Sequence, residues 1–407
     1  MNVLFLTIGR LKDINAPGIY TDLLRFFHQE GHEVYVACSR EKKHNLPTEY
    51  KNENGFHFLR VKIGNITQCS TIEKGISTVR VQGQYIRAIQ KHLRDVRFNL
   101  VIYTTPPITL LKAVQYVKNR DGAKTYLLLK DIFPQNAVDI GLMPKEGIRG
   151  ALYRHFRRQE KKLYAVSDRI GCMSPANAAY LIRHNPEVDP NKTEVCPNTT
   201  DPIDRSCTAE ERETIRKRYG IPPDKQVFVY GGNLGKPQDI PFIIECLQAC
   251  RDIDQAFFLI VGNGTEYGKL ERFIQDRKPG HVKLMPELPK TDYDQMIGSC
   301  DAGLIFLDHR FTIPNFPSRL LSYMQAKLPT LACTDPNTDI GDIVEEGGFG
   351  WKCESNDAGA FRDLIRKICA TEHSDMGEKA FDYLNKHYTS QLAYTTIIRA
   401  INEKGNI

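Results

Sequence analysis

Short apolar runs separated by longer amphipathic segments recur along the chain. Such runs, without strict apolar–polar alternation, are typical of strands buried on both faces of a parallel sheet, and the segments between them are predicted helices. The strands predicted in the first half are Val3–Ile8, Glu33–Cys38, Phe56–Val61, Leu100–Tyr103, Thr125–Leu129, Arg169–Cys172 and Thr193–Cys196. The predicted helices include Gly18–Gln29, Ile72–Leu93 and Ile108–Asn119. This order predicts a doubly wound α/β unit.

The same pattern begins again after the segment Pro197–Pro202, which is rich in Pro, Asp and Thr. The strands predicted there are Val227–Tyr230, Ala256–Val261, Val282–Met285, Ala302–Phe306, Thr330–Ala332 and Gly350–Lys352. We therefore predict one domain over residues 1–200 and a second over 201–390. Residues 391–407 contain a further helix, Gln391–Ile401, that could pack on either domain.

Length and composition fit this division. A chain of 407 residues exceeds one ordinary core, and its 41% hydrophobic and 26% charged residues are those of a folded protein. The eleven cysteines include no CxxC pair, which favours reduced thiols over disulfides or a zinc site and predicts a cytoplasmic location. The opening apolar run Met1–Ile8 lacks a basic leader, so we expect a first strand there rather than a signal peptide.

The net charge of +6 is unevenly distributed. Residues 1–200 contain 30 Lys and Arg against 18 Asp and Glu, whereas residues 201–407 contain 25 against 31. The basic first half indicates an anionic partner, such as phospholipid, a lipid pyrophosphate or nucleic acid.

Two glycine-rich segments follow predicted strands of the second half, Gly231–Gly235 and Gly262–Gly264. Glycine lets backbone amides approach a phosphate or a sugar closely, and a helix beginning nearby adds unpaired N–H groups. Any turn between a strand and a helix also favours glycine, so neither segment is specific by itself.

The segment Pro314–Met324 carries more information. Pro317 and Ser318 suit the first turn of a helix whose amides would hold a pyrophosphate, and Arg319 would add a cation. An ordinary capped helix is the alternative.

A basic helix is predicted over Arg149–Asp168. At 100° per residue, five cations share one face, and Leu152, Phe156 and Leu163 form an opposite stripe that should pack against the domain. The cations are Arg154, Arg157, Arg158, Lys161 and Lys162. This face is either simply solvated or docks on an anionic membrane.

Taken in order, these segments resemble the family-4 glycosyltransferases of the GT-B fold, in the branch that builds capsular, O-antigen and exopolysaccharide repeat units. The resemblance extends over nearly the whole chain. It is carried by Ala16–Gly18, Glu30–Val34, Leu129–Pro134, Ser174, Cys196–Asp201, Gly231–Gly235, Val261–Gly264, Cys300–Leu304 and Pro317–Arg319. It implies an α/β protein with two Rossmann-like doubly wound domains that face each other across a cleft.

The resemblance also implies an activity, which is transfer of a sugar from a nucleoside diphosphate donor with retention of anomeric configuration. It implies no metal and no cofactor besides the donor. The donor-binding positions it indicates are Gly18, Gly232, Asn233, Lys236, Gly262, Gly264, Pro317, Ser318, Arg319 and Ser322. Asp131 matches a catalytic position where many relatives carry histidine, and a plain helix cap or surface carboxylate is its alternative role.

One departure from the family concerns the donor site. Many members carry two glutamates eight positions apart, and the matching positions here are Pro314 and Ser322. The second glutamate commonly holds the ribose hydroxyls, which a serine can do only more weakly.

The sequence thus predicts a hexosyl- or N-acetylhexosaminyl-transferring enzyme of cell-surface polysaccharide synthesis that uses a UDP-sugar. Its expected partners are the donor, a lipid-linked or saccharide acceptor and the inner face of the cell membrane, with no nucleic acid. A sugar-nucleotide epimerase of the same architecture is one alternative, although the sequence offers no obvious set of acid and base residues for it. A membrane- or nucleic-acid-binding module is another, although the chain lacks an aromatic stacking platform.

Overall fold

The computed structural model describes residues 1–106, 108–147 and 150–403, with the side chains of Thr71 and Ile72 left aside. The chain forms two compact units. The first contains Met1–Thr200 together with the segment that begins at Ser390, and the second contains Asp201–Thr389.

The first unit is built on an eight-stranded sheet in the order β3-β4-β2-β1-β5-β6-β7-β8. The strands are β1 Asn2–Leu6, β2 Glu33–Glu41, β3 Glu49–Glu53, β4 Phe56–Ile63, β5 Leu100–Thr105, β6 Lys124–Leu129, β7 Arg169–Cys172 and β8 Thr193–Val195. All neighbours pair in parallel except β3, which lies antiparallel to β4 at one edge. The seven predicted strands are confirmed, and β3 was missed because it is a polar edge strand with no apolar run.

Six helices belong to this part of the chain. They are α1 Thr21–Gln29, α2 Thr71–His92, α3 Leu111–Asp121, α4 Gln135–Asp139, α5 Ala151–Val166 and α6 Pro175–His184. The predicted helix over Ile108–Asn119 is divided into a 3-10 turn, Ile108–Leu110, and α3. The strands β1, β5 and β6 are almost entirely buried, as their apolar sequences require in a sheet covered on both faces.

The second unit has a six-stranded, fully parallel sheet in the order β11-β10-β9-β12-β13-β14. Its strands are β9 Gln226–Asn233, β10 Ala256–Asn263, β11 Val282–Met285, β12 Ala302–Phe306, β13 Thr330–Thr334 and β14 Gly350–Glu354. Its helices are α7 Ala209–Tyr219, α8 Ile240–Ala249, α9 Tyr267–Arg277, α10 Lys290–Gly298, α11 Arg319–Gln325, α12 Ile340–Glu346, α13 Ala358–Ala370 and α14 Ser374–His387. All six predicted strands are present.

The last helix, α15 Ser390–Asn402, packs on the first unit. The ring of Tyr394 meets Phe27 of α1 edge-on at a centroid distance of 4.9 Å, and its hydroxyl lies 3.0 Å from Nε2 of His32. Ala393 and Ile397 are buried in the same apolar cluster as Phe27. These contacts settle a choice that the amphipathic pattern alone left open.

Parallel strands bring the loops at their carboxyl ends to one edge of each sheet, where open α/β sheets bind ligands. In the first unit this edge carries Asp131, two residues after β6. In the second unit it carries the end of β9 and the loop that follows β12. Most of the predicted site residues lie at these two edges.

Candidate functional site

Gly231–Asn233 and Gly262–Asn263 are the last residues of β9 and β10, so the prediction that both glycine segments follow their strands is wrong for these residues. Leu234, Gly235 and Gly264 lie beyond the strand ends, as predicted. Gly232 and Gly262 face each other in the parallel register of β9 and β10, and Asn233 and Asn263 form the last rung. A Cβ on Gly262 would lie 1.8 Å from the carbonyl oxygen of Gly232, and one on Gly264 would lie 2.2 Å from that of Leu234. Gly262 and Gly264 are therefore required by backbone packing.

Gly232 is different, because it is exposed and its φ of +126° is one that L side chains rarely adopt. The atom nearest to a Cβ placed there would be Nη2 of Arg319, at 3.5 Å. The backbone at the carboxyl end of β9 thus runs directly beside the Arg319 guanidinium.

Asn233 is held in place by Gln238, which was not among the predicted site residues. Its Nδ2 donates to Oε1 of the buried Gln238 at 2.9 Å, and the same oxygen accepts from the Gly235 amide at 3.2 Å. The Tyr230 hydroxyl donates to the carbonyl of Asn233 at 2.7 Å. Lys236 follows on an exposed 3-10 turn, Lys236–Gln238.

The loop between β12 and α11, residues 307–318, differs from the prediction at its end. The helix begins at Arg319, so Pro317 and Ser318 precede it, and the Ser318 side chain makes no capping hydrogen bond. The reason is the backbone of Ser318, whose φ of −63° and ψ of −14° are already helical, whereas a capping serine needs an extended backbone to reach back to the helix amides. Ser318 instead points its exposed side chain outward.

The same loop is anchored to the end of β13. The amide of Asn315 donates to Oγ1 of Thr338 at 3.0 Å, and that hydroxyl donates to Oδ2 of Asp335 at 2.9 Å. Asn337 donates from Nδ2 to the carbonyl of Phe311 at 2.7 Å. Burial raises the pKa of Asp335 to about 6, which its hydrogen bonds from Thr338 and Asn337 oppose. This cluster, absent from the sequence prediction, fixes the shape of the loop.

Arg319 is the charged residue at the centre of this edge. Its guanidinium lies over the ring of Tyr230, 4.2 Å from the centroid. Its Nη1 is closed off from solvent and has no hydrogen-bond partner in the described part of the chain, and the same is true of the Tyr293 hydroxyl. The hydroxyl of Tyr323, in contrast, donates to the carbonyl of Leu304 at 3.0 Å.

Two positions discussed for the ribose are filled by residues without a carboxylate. Pro314 is buried in the loop, and Ser322 lies half-buried on α11. The structure offers no glutamate at either position, as the sequence already states.

Asp131 lies at the carboxyl edge of the first sheet, between the ends of β5 and β6. Its Oδ2 accepts from Nδ2 of Asn136 at 2.5 Å, and its backbone carbonyl accepts from Oγ1 of Thr105 at 3.3 Å. Its Oδ1 is buried and has no hydrogen-bond partner among the residues described. Burial raises the pKa of Asp131 to about 6; the amide of Ile132 and Asn136 oppose this shift, and the nearby carboxylate of Glu160 adds to it.

Lys130, the preceding residue, was not selected from the sequence. Its Nζ donates to the carbonyl of Pro197 at 3.4 Å, and burial lowers its pKa to about 8. Two adjacent ionisable groups thus have pKa values displaced towards neutrality at one sheet edge, which is a common property of functional sites.

Gly18 lies just before α1. Its amide donates to Oδ1 of Asp22 at 2.9 Å. Asp22 is buried, pairs with Arg25 and accepts from the hydroxyl of Thr200. The part that Gly18 takes in donor binding stays a prediction.

The basic helix α5 presents fewer free cations than predicted, and Arg149 lies outside the described residues. Arg157 turns inward and binds the buried Glu160 at 2.6 Å, and Lys161 pairs with Glu187 at 2.9 Å. Leu152, expected in the packed stripe, is 53% exposed. The buried residues of the helix are Glu160, Leu163 and Tyr164. The buried side is therefore turned away from Leu152, which is exposed, and towards Arg157, which pairs with Glu160.

Four cations of α5 are exposed as predicted, Arg154, Arg158, Lys161 and Lys162. Because Lys161 pairs with Glu187, the three exposed cations that form no ion pair within the described residues are Arg154, Arg158 and Lys162. Across residues 1–106, 108–147 and 150–403, no helix combines the length and the apolar composition needed to cross a bilayer. In the same residues, no three His, Cys, Asp or Glu side chains converge as metal ligands would.

Comparison with known proteins decides the family. The family model described as Glycosyltransferase Family 4 matches residues 20–203, and the model described as Glycosyl transferases group 1 matches residues 211–382, so the two together span most of the chain. The chain belongs to these family-4, group 1 glycosyltransferases. Its two parallel α/β sheets are those of the GT-B fold.

Two bacterial proteins described as glycosyltransferases are similar to this chain in sequence. A probable glycosyltransferase of Pseudomonas aeruginosa, WbjE, is 26% identical over 317 residues, 76% of each chain. The putative colanic acid biosynthesis glycosyl transferase WcaI of Escherichia coli is 20% identical over 357 residues, 85% of this chain and 86% of the relative. The crystal structure of Anabaena HepE in complex with UDP-glucose shares the fold, with a TM-score of 0.69, 13% identity and coverage of 99% of this chain and all of that one.

Proposed function

We propose that this glycosyltransferase transfers a hexosyl or N-acetylhexosaminyl group from a UDP-sugar to a saccharide or lipid-linked acceptor during cell-surface polysaccharide synthesis. We further propose that transfer proceeds with retention, as the family resemblance implies. Support for the donor comes from the carboxyl edge of the second sheet, and HepE, which has the same fold, binds UDP-glucose.

The observation that carries the proposal is the state of Arg319. A buried polar group without a partner costs free energy, and the cost is larger for a charged one. Nη1 of Arg319 and the hydroxyl of Tyr293 both lack partners, and both lie at the ligand-binding edge of an α/β sheet. A diphosphate would supply acceptor oxygens to both groups.

The chemistry needs such a cation. When the bond between the anomeric carbon and the diphosphate breaks, negative charge grows on the departing phosphate oxygens, and a fixed cation lowers the barrier by stabilising that charge. The exposed backbone at Gly232 and the held side chain of Asn233 would approach the same phosphates beside Arg319. Lys236 would add a second, more mobile cation.

For Asp131 we propose a role at the reacting sugar. A carboxylate stabilises an oxocarbenium-like centre electrostatically only when it is ionised, and the unpartnered Oδ1 of Asp131 is the oxygen that would face that charge. Its pKa of about 6 leaves it ionised at neutral pH. The hydrogen bond from Asn136 would hold the carboxylate in one orientation.

For α5 we propose contact with the anionic surface that carries the acceptor. The residues concerned are the exposed cations Arg154, Arg158 and Lys162, and each basic residue near an anionic membrane adds about 1 kcal/mol. Binding to vesicles of phosphatidylcholine with phosphatidylglycerol should therefore fall when the three are replaced together by glutamine, and equal binding of this variant would contradict the assignment.

The donor assignment is tested by incubating the full chain with a panel of UDP- and GDP-sugars and measuring nucleotide binding and nucleoside diphosphate release. We expect UDP binding, and slow donor hydrolysis even without an acceptor. No binding of any nucleotide would overturn the proposal, and interconversion of the sugar without release of UDP would identify an epimerase instead. The anomeric configuration of the transferred sugar, read by NMR, tests retention.

A further inference from the structure

A basic groove runs along α2 on the first unit, and its lining includes none of the residues proposed above for the donor or the reacting sugar. It encloses about 480 Å³ between α2, the end of β4 and the segment after β2. This volume lies within the range of ordinary small-molecule sites, roughly 300–1,000 Å³. The basic side chains of its lining are Lys42, Lys62, Arg80, Arg87, Lys91 and His92.

The charges in this groove are unbalanced. Its lining includes no Asp or Glu. Within the described residues, none of its six basic side chains forms an ion pair or a side-chain hydrogen bond. Elsewhere in this unit Arg40, Lys118 and Arg157 each pair with a carboxylate. Cations gathered around one cavity repel one another, and an anion bound among them removes that cost.

Gln84 gives the groove a second polar feature. Its side chain lines the groove between Arg80 and Arg87 on α2, and its Oε1 is buried without a hydrogen-bond partner among the described residues. This oxygen can only accept a hydrogen bond. A phosphate oxygen cannot satisfy it, whereas a sugar hydroxyl can.

We propose that the α2 groove binds a diphosphate that carries a saccharide, with the basic side chains on the phosphates and Gln84 on a sugar hydroxyl. This deepens the function proposed above and rests on it, because such a compound would be the acceptor of the transferred sugar. The groove is formed by residues of the first unit alone, whereas Arg319 belongs to the second unit.

The test measures binding to the full chain in saturating UDP, so that the donor site is occupied. The probes are inorganic pyrophosphate and a water-soluble, short-chain prenyl diphosphate N-acetylhexosamine. The binding of each is measured by titration calorimetry. We expect Arg80→Gln combined with Arg87→Gln to weaken both probes by about tenfold or more, since each charge-assisted contact is stronger than a neutral one. We expect Gln84→Leu to weaken the saccharide probe and to leave pyrophosphate unchanged.

A matched control removes two cations elsewhere on the same unit. Lys124 and Arg183 are exposed and lie outside the groove, so Lys124→Gln combined with Arg183→Gln lowers the net charge equally. This control should bind both probes as the unaltered protein does. Equal weakening in both double variants would show a general charge effect and overturn the site.

Two further experiments distinguish failure of this proposal from failure of the donor assignment and from binding of membrane lipid. Repeating the titration in an Arg319→Ala background without UDP measures the groove even if the protein binds no nucleotide, so failure of the donor assignment and failure of the groove are distinguishable. Vesicles of phosphatidylcholine with and without phosphatidylglycerol identify the other phosphate source. If the Arg80 and Arg87 changes abolish vesicle binding but leave the saccharide probe unaffected, the groove recognises bilayer lipid and the acceptor assignment is wrong.

Discussion

The guanidinium carbon of Arg319 lies over the ring of Tyr230, 4.2 Å from the ring centroid. The contact joins the first residue of α11 to the strand β9 beside it, and the Tyr230 hydroxyl in turn holds the carbonyl of Asn233. A cation on an aromatic face is favourable and costs no hydrogen-bonding group. Tyr230 thus fixes Arg319 in position while leaving its N–H groups for a ligand.

We expect Arg319→Ala to reduce kcat/KM for the donor by about 10- to 100-fold, because one charge-assisted hydrogen bond of about 1.5–3 kcal/mol is lost. Arg319→Lys should recover only part of this loss, since lysine keeps the charge but lacks the planar fork and its stacking on Tyr230. The measurements are UDP release at varied donor concentration and UDP affinity by calorimetry. Unchanged donor kinetics in the alanine variant would remove the basis of the proposed function.

A more conservative change tests the role of Tyr230, which supports Arg319, rather than the charge of Arg319 itself. Tyr230→Phe keeps the ring under Arg319 and removes only the hydrogen bond to Asn233, so we expect a donor affinity that falls less than tenfold. Loss of activity as large as in Arg319→Ala would show that the hydroxyl itself acts on the donor.

Activity should depend on pH through Asp131. Its pKa of about 6 lies above the ordinary value of 3.8, so the carboxylate becomes protonated as pH falls through about 6. If the ionised form is needed, kcat/KM should decline below pH 6 and approach tenfold per unit. A pH profile of UDP release checks this, with Asp131→Asn as the control, which should be slow and lack the decline. An acid limb that persists in the variant would assign it to another group.

Asp131→Asn should also make the protein more stable at neutral pH. Because the folded pKa is above the unfolded one, the folded protein binds more protons between about pH 4 and 6, and its stability falls as pH rises through that interval. The two-unit displacement sets the gain on removing the charge at about 1–3 kcal/mol at pH 7. Unfolding followed at pH 7 and near pH 4 should show the gain only at the higher pH. A destabilised variant at pH 7 would indicate a structural role instead.

Two glycine-to-alanine substitutions in the second unit should change the stability of the protein in opposite directions, because one glycine is tightly packed and the other is not. Gly262→Ala would place a methyl group 1.8 Å from a backbone oxygen, and we expect destabilisation of about 3 kcal/mol or more. Gly268→Ala on α9 has open space around its Cβ and should stabilise by about 0.5–1 kcal/mol. Thermal unfolding of both variants checks this, and a tolerated Gly262→Ala would mean that the two strands separate at this rung.

The fold could be predicted well because the buried parallel strands are written as uninterrupted apolar runs. Strand β10, for example, is apolar over Ala256–Val261, which is the length and composition of a strand buried on both faces. Strand β3 could not be found in this way, since Glu49–Glu53 is a mostly exposed, polar strand at the edge of the sheet, paired with β4. The position of α15 also depends on tertiary contacts that local periodicity does not contain.

The sequence predicted the carboxyl edges of the two sheets as the places where the candidate site residues lie, but not the residues that support them. Arg319 and Asp131 stand in short motifs, so their sequence neighbourhood marks them. Gln238 and Asp335 were not marked in this way, because their hydrogen bonds to Asn233 and Thr338 depend on loop conformations that the sequence pattern does not specify. Lys130 lies in the same segment as Asp131, but its contact with the carbonyl of Pro197, 67 residues away, depends on the folded chain. The error at Arg157 has a different origin: Glu160 lies three residues later on the same helix, and counting only the cations of the helical wheel overlooked this local partner.

The docking of α15 on α1 has a consequence for how the protein is made. The chain leaves the first unit at Thr200 and returns to it only at Ser390, so the second unit is continuous in sequence and the first is not. Domains generally fold as units while the ribosome still extends the chain. The apolar side of α1 around Phe27 is therefore not covered by α15 until the whole second unit has been synthesised. The unit that leaves the ribosome first is the one that is completed last.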